Sequence, residues 1–255
     1  MTALSHLLRA VCCGLLPGLA CAAPAPLVLA FSTLPPWKII NADGRASGPY
    51  LDIVRVLAER VGHPLQLRRC PLPRCLALAA SGEVDLMIGV RSRPGRDDKL
   101  DFLSPPFAGG TPLSFIQRRA DGRPLRNYGD LQSLRIGVVE GSTYFERFDS
   151  DRSLIRDPAP DSQSSLRKLL AGRVDTAIFN YGQAKWMLEH MSSGAGLKFA
   201  AYRVHNSELR RVALVRASPF YSLKPRLELA LDGMVKDGTV HRLLAPIEEA
   251  PVSSR

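Results

Sequence analysis

Leu76-Ala-Leu-Ala-Ala-Ser-Gly-Glu-Val-Asp-Leu-Met-Ile88 returns, 90 residues further on, as Leu166-Arg-Lys-Leu-Leu-Ala-Gly-Arg-Val-Asp-Thr-Ala-Ile178. Leucine, glycine, valine, aspartate and isoleucine recur at identical offsets. Each copy predicts a helix stopped by a glycine in the left-handed cap position, Gly82 or Gly172. A short charged turn follows, then a buried strand, Leu86 to Val90 or Thr176 to Phe179. Asp85 and Asp175 resemble a pair of acids, but they fall in equivalent turns of different halves. Nothing places them together, so their expected role is structural. The echo predicts two similar α/β lobes.

The flanking segments extend each copy. Before the first, Leu27 to Ser32 reads as a continuous apolar strand. Tyr50 to Val61 has helical spacing, with Ile53, Val54, Leu57 and Val61 on one side, and Gly62 ends it. Leu65 to Leu67 begins the next strand. The order β-α-β-α-β implies a parallel sheet with helices on both faces. In the second half, Leu134 to Val139 is a strand running into Gly141-Ser142-Thr143 and a helix. Ser164 to Ala171 and Leu197 to Tyr202 continue that lobe. The extended segments Pro112 to Arg118 and Arg210 to Arg216 are where the chain leaves the first lobe and returns. The expected division is residues 24–113 with 208–255 as lobe 1, and 114–207 as lobe 2. Two crossing strands make a good hinge, because a few dihedral changes swing two rigid bodies. Tyr221 to Lys236 and Gly238 to Leu244 are expected helices on lobe 1.

The N-terminus reads as an export signal. Ala10 to Leu19 is mostly apolar but too short for a bilayer, and Ala20-Cys21-Ala22 presents small residues for cleavage after Ala22. A lipoprotein would be anchored at Cys21, but Gly18-Leu19-Ala20-Cys21 lacks the leucine three residues before the cysteine. The expected compartment is therefore the periplasm. Cys70 and Cys75 remain in Arg-Cys-Pro-Leu-Pro-Arg-Cys, as a local disulfide in an oxidising compartment or as two buried thiols. No histidine lies nearby with metal-ligand spacing, so no metal and no cofactor are expected. Lys plus Arg number 34 against 24 Asp plus Glu. The arginines are scattered, without a basic block or nucleic-acid motif, so no nucleic-acid partner is expected.

From Leu27 to Leu244 the ordered motifs resemble the family 3 solute-binding proteins, the polar-amino-acid receptors of bacterial ABC importers. They are Leu34-Pro-Pro-Trp37, Gly48-Pro-Tyr-Leu-Asp-Ile-Val54, Ser81 to Gly89 leading into Arg93-Pro-Gly-Arg96, and Asp101-Phe-Leu-Ser-Pro-Pro-Phe107. Leu134 to Thr143, Ala171-Gly-Arg-Val-Asp175 and Asp237-Gly-Thr239 complete the set. The resemblance implies a type II periplasmic-binding-protein fold, two Rossmann-like lobes joined by a two-strand hinge. It also implies a monomer that takes a small carboxylate or amino-acid-like ligand and docks on a membrane permease.

Site residues follow from the same resemblance. Arg96 stands where the family places an arginine that grips a ligand carboxylate, a task suited to a planar fork with two parallel donors. Arg91 and Arg93 flank it, as further cleft charges or as solvated loop residues. Gly141, Ser142 and Thr143 fall at the family's second carboxylate clamp, where a helix start would offer free N–H groups; an ordinary cap is the alternative. Trp37 is either a platform for the ligand or a core aromatic. Asn180 departs from the family, where an aspartate commonly pairs with the ligand's ammonium group. Two further functions are compatible with the fold. One is a dehydratase of cyclohexadienyl carboxylates, with Glu140 as the candidate acid/base, and the other is a soluble sensor for a membrane receptor.

Overall fold

The computed structural model describes residues 24–192 and 194–248, so the expected signal peptide over residues 1–22, with Cys21, lies outside it. The first part of the chain supplies β1 (Leu27–Phe31), a small hairpin of β2 (Ile39–Ile40) and β3 (Ala46–Ser47), α1 (Pro49–Arg60), β4 (Leu65–Arg69), α2 (Leu72–Ala80), β5 (Leu86–Ile88) and β6 (Leu100–Phe102). The middle supplies β7 (Leu113–Arg118), β8 (Arg135–Val139), α3 (Glu146–Ser150), β9 (Ile155–Ala159), α4 (Ser162–Leu170), β10 (Thr176–Asn180), α5 (Tyr181–His190) and β11 (Leu197–Val204). The chain ends on β12 (Val212–Val215), α6 (Lys224–Lys236) and α7 (Thr239–Glu248).

These strands form two five-stranded sheets of the same design. The first has the order β4-β1-β5-β12-β6 and the second β9-β8-β10-β7-β11. In each, the first three strands are parallel. The fourth strand in each is antiparallel to its neighbours, and it is the strand that has just crossed from the other half of the chain. The crossing segments expected to be the hinge are thus largely embedded in the sheets as β7 and β12. What connects the lobes is shorter, a single antiparallel bridge between Ala108 and Arg210.

Both faces of each sheet are buried, which explains strands that read as unbroken apolar runs. Along β1, Leu27, Leu29 and Phe31 join one core cluster while Val28 and Ala30 face another. Along β10, Ile178 faces one cluster, and Ala177 and Phe179 the opposite one. The period of two is the pleat of the strand.

The echoed segments occupy equivalent places, α2–β5 and α4–β10. Gly82 and Gly172 end their helices at φ of 74° and 71°, a backbone region that only glycine adopts without strain. The two aspartates do the same work in each lobe. Asp85 Oδ2 accepts the Val28 N–H of β1 at 2.7 Å, and Asp175 Oδ2 accepts the Arg135 N–H of β8 at 2.8 Å. Each ties the turn before one strand to the start of its parallel neighbour.

Cys70 and Cys75 form a disulfide with Cα atoms 5.4 Å apart, stapling the end of β4 to α2. Among the described residues no helix is long and apolar enough to cross a membrane, and no cluster of ligand-type side chains could hold a metal ion.

Candidate functional site

The carboxyl ends of β1, β5, β8 and β10 converge on a cleft between the lobes, the usual place for a ligand in open α/β sheets. The cleft is open at its mouth and holds a cavity of about 90 Å³. Residues 32–38 and 89–96 bring one wall, and residues 139–144, 160–162 and 178–183 the other.

Arg91 and Arg96 reach into it from the loop after β5. Arg91 donates through Nη2 to Asn180 Oδ1 at 3.1 Å and through Nη1 to the Tyr144 carbonyl, both in the second lobe. Glu208 Oε2 lies 3.3 Å from Arg91 Nη1. Arg96 is 8% exposed. Its Nη1 donates to the Arg91 carbonyl at 2.7 Å and its Nη2 to the Gly141 carbonyl at 2.6 Å. The fork expected to take a carboxylate therefore bridges main-chain oxygens from both walls. Burial lowers the pKa of both guanidinium groups, and Arg93 adds to the effect at Arg96.

Arg93 itself is exposed, and its backbone N–H bonds to Asp97 Oδ1. It lies outside the cleft, in the groove behind Arg96 beside Lys99. The tight turn at 93–96 points Arg91 and Arg96 inward and Arg93 out, so the expected ligand contact from Arg93 is not made by this geometry.

Ser142 and Thr143 line the cleft, and Gly141 faces it through the carbonyl that Arg96 takes. They do not start a helix. α3 begins only at Glu146, because Tyr144 packs edge-on against Phe148 at 5.4 Å and its N–H is taken by Asp149 Oδ2. The expected helix dipole is thus absent from the clamp. Thr143 Oγ1 is buried and has no partner.

Trp37 is 3% exposed and belongs to the lobe 1 core. It stacks on Tyr50 at 5.8 Å and reaches the second lobe at Gly182, where an added Cβ would come within 3.2 Å of the indole ring. It lines a smaller side chamber with Tyr50 and Glu208 rather than the main cleft. Asn180 closes β10, its Oδ1 accepting from Arg91 and, at 3.2 Å, from Thr111 Oγ1. Glu140 is exposed and is not among the residues lining the cleft.

Lys38, Gln183 and Asp161 are among the lining residues that the sequence did not single out. Lys38 is 1% exposed and donates to the Ile88 carbonyl at 2.8 Å and to Ser32 Oγ at 3.3 Å. Desolvation lowers its pKa to about 7. Gln183 bonds Ser162 Oγ at 2.7 Å on the other wall. Asp161 is the cleft's carboxylate, and it is engaged, its Oδ1 accepting the Ser164 N–H at 2.7 Å to cap α4. A lysine set between Trp37 and the apolar pair Ile39-Ile40 was the available signal for the first.

The model of the bacterial extracellular solute-binding proteins, family 3, matches residues 27–246. No curated protein sequence matches the chain. Among solved structures, an ancestral arginine-binding protein bound to arginine superposes with a TM-score of 0.76 at 19% identity, over 88% of this chain and 97% of that one. The Salmonella typhimurium periplasmic binding protein described as having high arginine specificity gives 0.76 at 13% identity, over 88% and 99%. A histidine kinase sensor domain with similarity to periplasmic binding proteins gives 0.76 at 20%, over 88% and 95%. At these identities the likeness is one of fold.

Proposed function

Since this chain belongs to the bacterial extracellular solute-binding proteins, family 3, we propose that it captures a small carboxylate-bearing, amino-acid-sized ligand in the cleft between its lobes and delivers it to the permease of an ABC importer from the periplasm. The observation that carries this reading is the charge of the cleft. Lys38, Arg91 and Arg96 line it. Of the acids at hand, Asp161 is occupied as a helix cap and Glu208, from the adjoining chamber, pairs with Arg91, so among the described residues Lys38 and Arg96 face the cleft without a paired carboxylate. Cations in a partly desolvated site attract anions more strongly than they would in water. The two lobes close about the paired crossing at Ala108 and Arg210.

The same charges argue against a cationic ligand such as arginine, whatever the similar structures bind. Asn180 supplies no negative charge for a ligand ammonium group, and its oxygen already serves Arg91 and Thr111. A carboxylate that lacks an α-ammonium group, or carries more than one acid, suits the site better than a neutral amino acid.

A thermal-shift screen of the mature protein against amino acids, opines and small carboxylates, followed by calorimetry, tests this. A ligand held only by the native state stabilises it by about 2.7 kcal/mol at a hundred times its Kd. Stabilisation by anionic members is the expected result. Stabilisation by arginine or lysine alone would overturn the carboxylate reading.

A further inference from the structure

Lys38 is a positive group built into the bottom of the cleft with no acid to answer it. The turn that places it is held by the antiparallel bridge between Leu34 and Lys38, with reciprocal backbone bonds of 2.8 and 2.9 Å. Its amine sits at the carboxyl ends of β1 and β5, bonded to Ser32 Oγ and the Ile88 carbonyl. An ammonium has three donors; these two partners take two, and the third has no hydrogen-bond acceptor among the described residues, with the centroid of the Phe31 ring 6.0 Å from the nitrogen. Among the described residues no carboxylate lies within 4.0 Å of it, although other cations in this chain form such pairs. A lysine this deep is rare unless paired. Across the cleft, Thr143 Oγ1 is also buried without a partner.

We infer that Lys38 is the second anion anchor of the cleft, and that the ligand class is a small molecule with two anionic groups, one facing Arg91 and Arg96 and the other taken by the Lys38 ammonium. This rests on the carboxylate reading of the same cleft and narrows it. A carboxylate brought against Lys38 supplies the missing counter-ion, so the cost of burying the charge is offset only in the complex. A neutral group at that end of the ligand leaves the amine as it is in the free protein.

The proton balance follows. In the free protein burial lowers the Lys38 pKa to about 7, so the amine is half protonated at that pH and charged below it. The other titratable groups of the cleft are Arg91, Arg96, Tyr144 and Asp161. Burial lowers the two arginines and raises Tyr144, which leaves the former charged and the latter neutral around pH 7. Asp161 caps its helix. A bound anion raises the Lys38 pKa, so binding above pH 7 takes up a proton. Affinity for the dianion is therefore full below that pH and falls by up to about tenfold per pH unit above it, until the pKa of the complex is reached.

Calorimetry on the mature protein with succinate, glutarate, aspartate and glutamate, each against its half-amide, tests the inference. The expected result is a preference of at least about tenfold for one of these diacids over its half-amide near pH 6. That gap should collapse in Lys38→Met, and buffers of different ionisation enthalpy should show proton uptake by the wild type near about pH 8. Half-amides bound as tightly as their diacids, or a gap that survives in Lys38→Met, would overturn the inference while leaving the carboxylate reading intact. Silence from all eight compounds and from the carboxylates of the wider screen would overturn both. Should Lys38→Met fail to fold, proton uptake by the wild type decides alone, and its absence counts against Lys38.

Discussion

The ends of β5 and β10 are equivalent points in a repeated scaffold, and they are chemically unlike. β5 runs into Gly89-Val90-Arg91 and a loop that carries Arg96 inward. β10 ends on the neutral Asn180, and α5 begins with the next residue. Lobe 1 thus brings every cation of the cleft, and lobe 2 brings Ser142, Thr143, Asn180, Gln183 and a capped Asp161. The duplicated part of the fold fixes where a ligand sits. The residues that follow each strand fix what it can be, and here they place positive charge on one wall only.

The largest test of that comparison lies in the shared scaffold. Ile88 and Ile178 hold the same place in the two echoes, and both are 0% exposed. Truncating either to alanine should cost about 2–5 kcal/mol in denaturant unfolding, because each leaves a cavity in a core strand. A large loss in one variant and none in the other would break the equivalence.

A smaller effect separates the junctions that precede α2 and α4. Lobe 1 secures its junction with the Cys70–Cys75 bond, and lobe 2 with the Asp161 cap on the Ser164 N–H. Replacing both cysteines by serine should cost about 2 kcal/mol for so short a loop. Asp161→Ala should cost about 1 kcal/mol, the ordinary worth of a cap. Equal losses would show that the two devices are interchangeable; two alkylatable thiols in the exported protein would remove the staple altogether.

Much of this scaffold was legible in the sequence for a physical reason. Strands buried on both faces must be continuously apolar, and a helix must be stopped by something, so Gly82, Gly172 and their following strands announce themselves. The site was less legible because it depends on which way loop side chains turn. Arg91, Arg93 and Arg96 look alike in sequence, yet the turn between them buries Arg96, half-buries Arg91 and exposes Arg93. The helix expected at Gly141 starts at Glu146, because the ring of Tyr144 is drawn into the core against Phe148. The local mark of burial at Lys38 is slight, its place between Trp37 and Ile39-Ile40, since the strand ends that bury it come from residues as far away as Ile88.

The central claim is that the cationic wall of lobe 1, rather than the cation-free wall of lobe 2, holds the ligand. Calorimetric titration of Arg91→Ala beside Asn180→Ala, with the tightest carboxylate from the screen, tests it most directly. The two residues are hydrogen-bonded to each other, so both variants break the same contact across the cleft. Arg91→Ala should weaken binding by about ten- to a hundredfold, as the loss of a charged hydrogen bond does, and Asn180→Ala by less than about tenfold. The reverse order, or unchanged affinity in Arg91→Ala, would contradict the account.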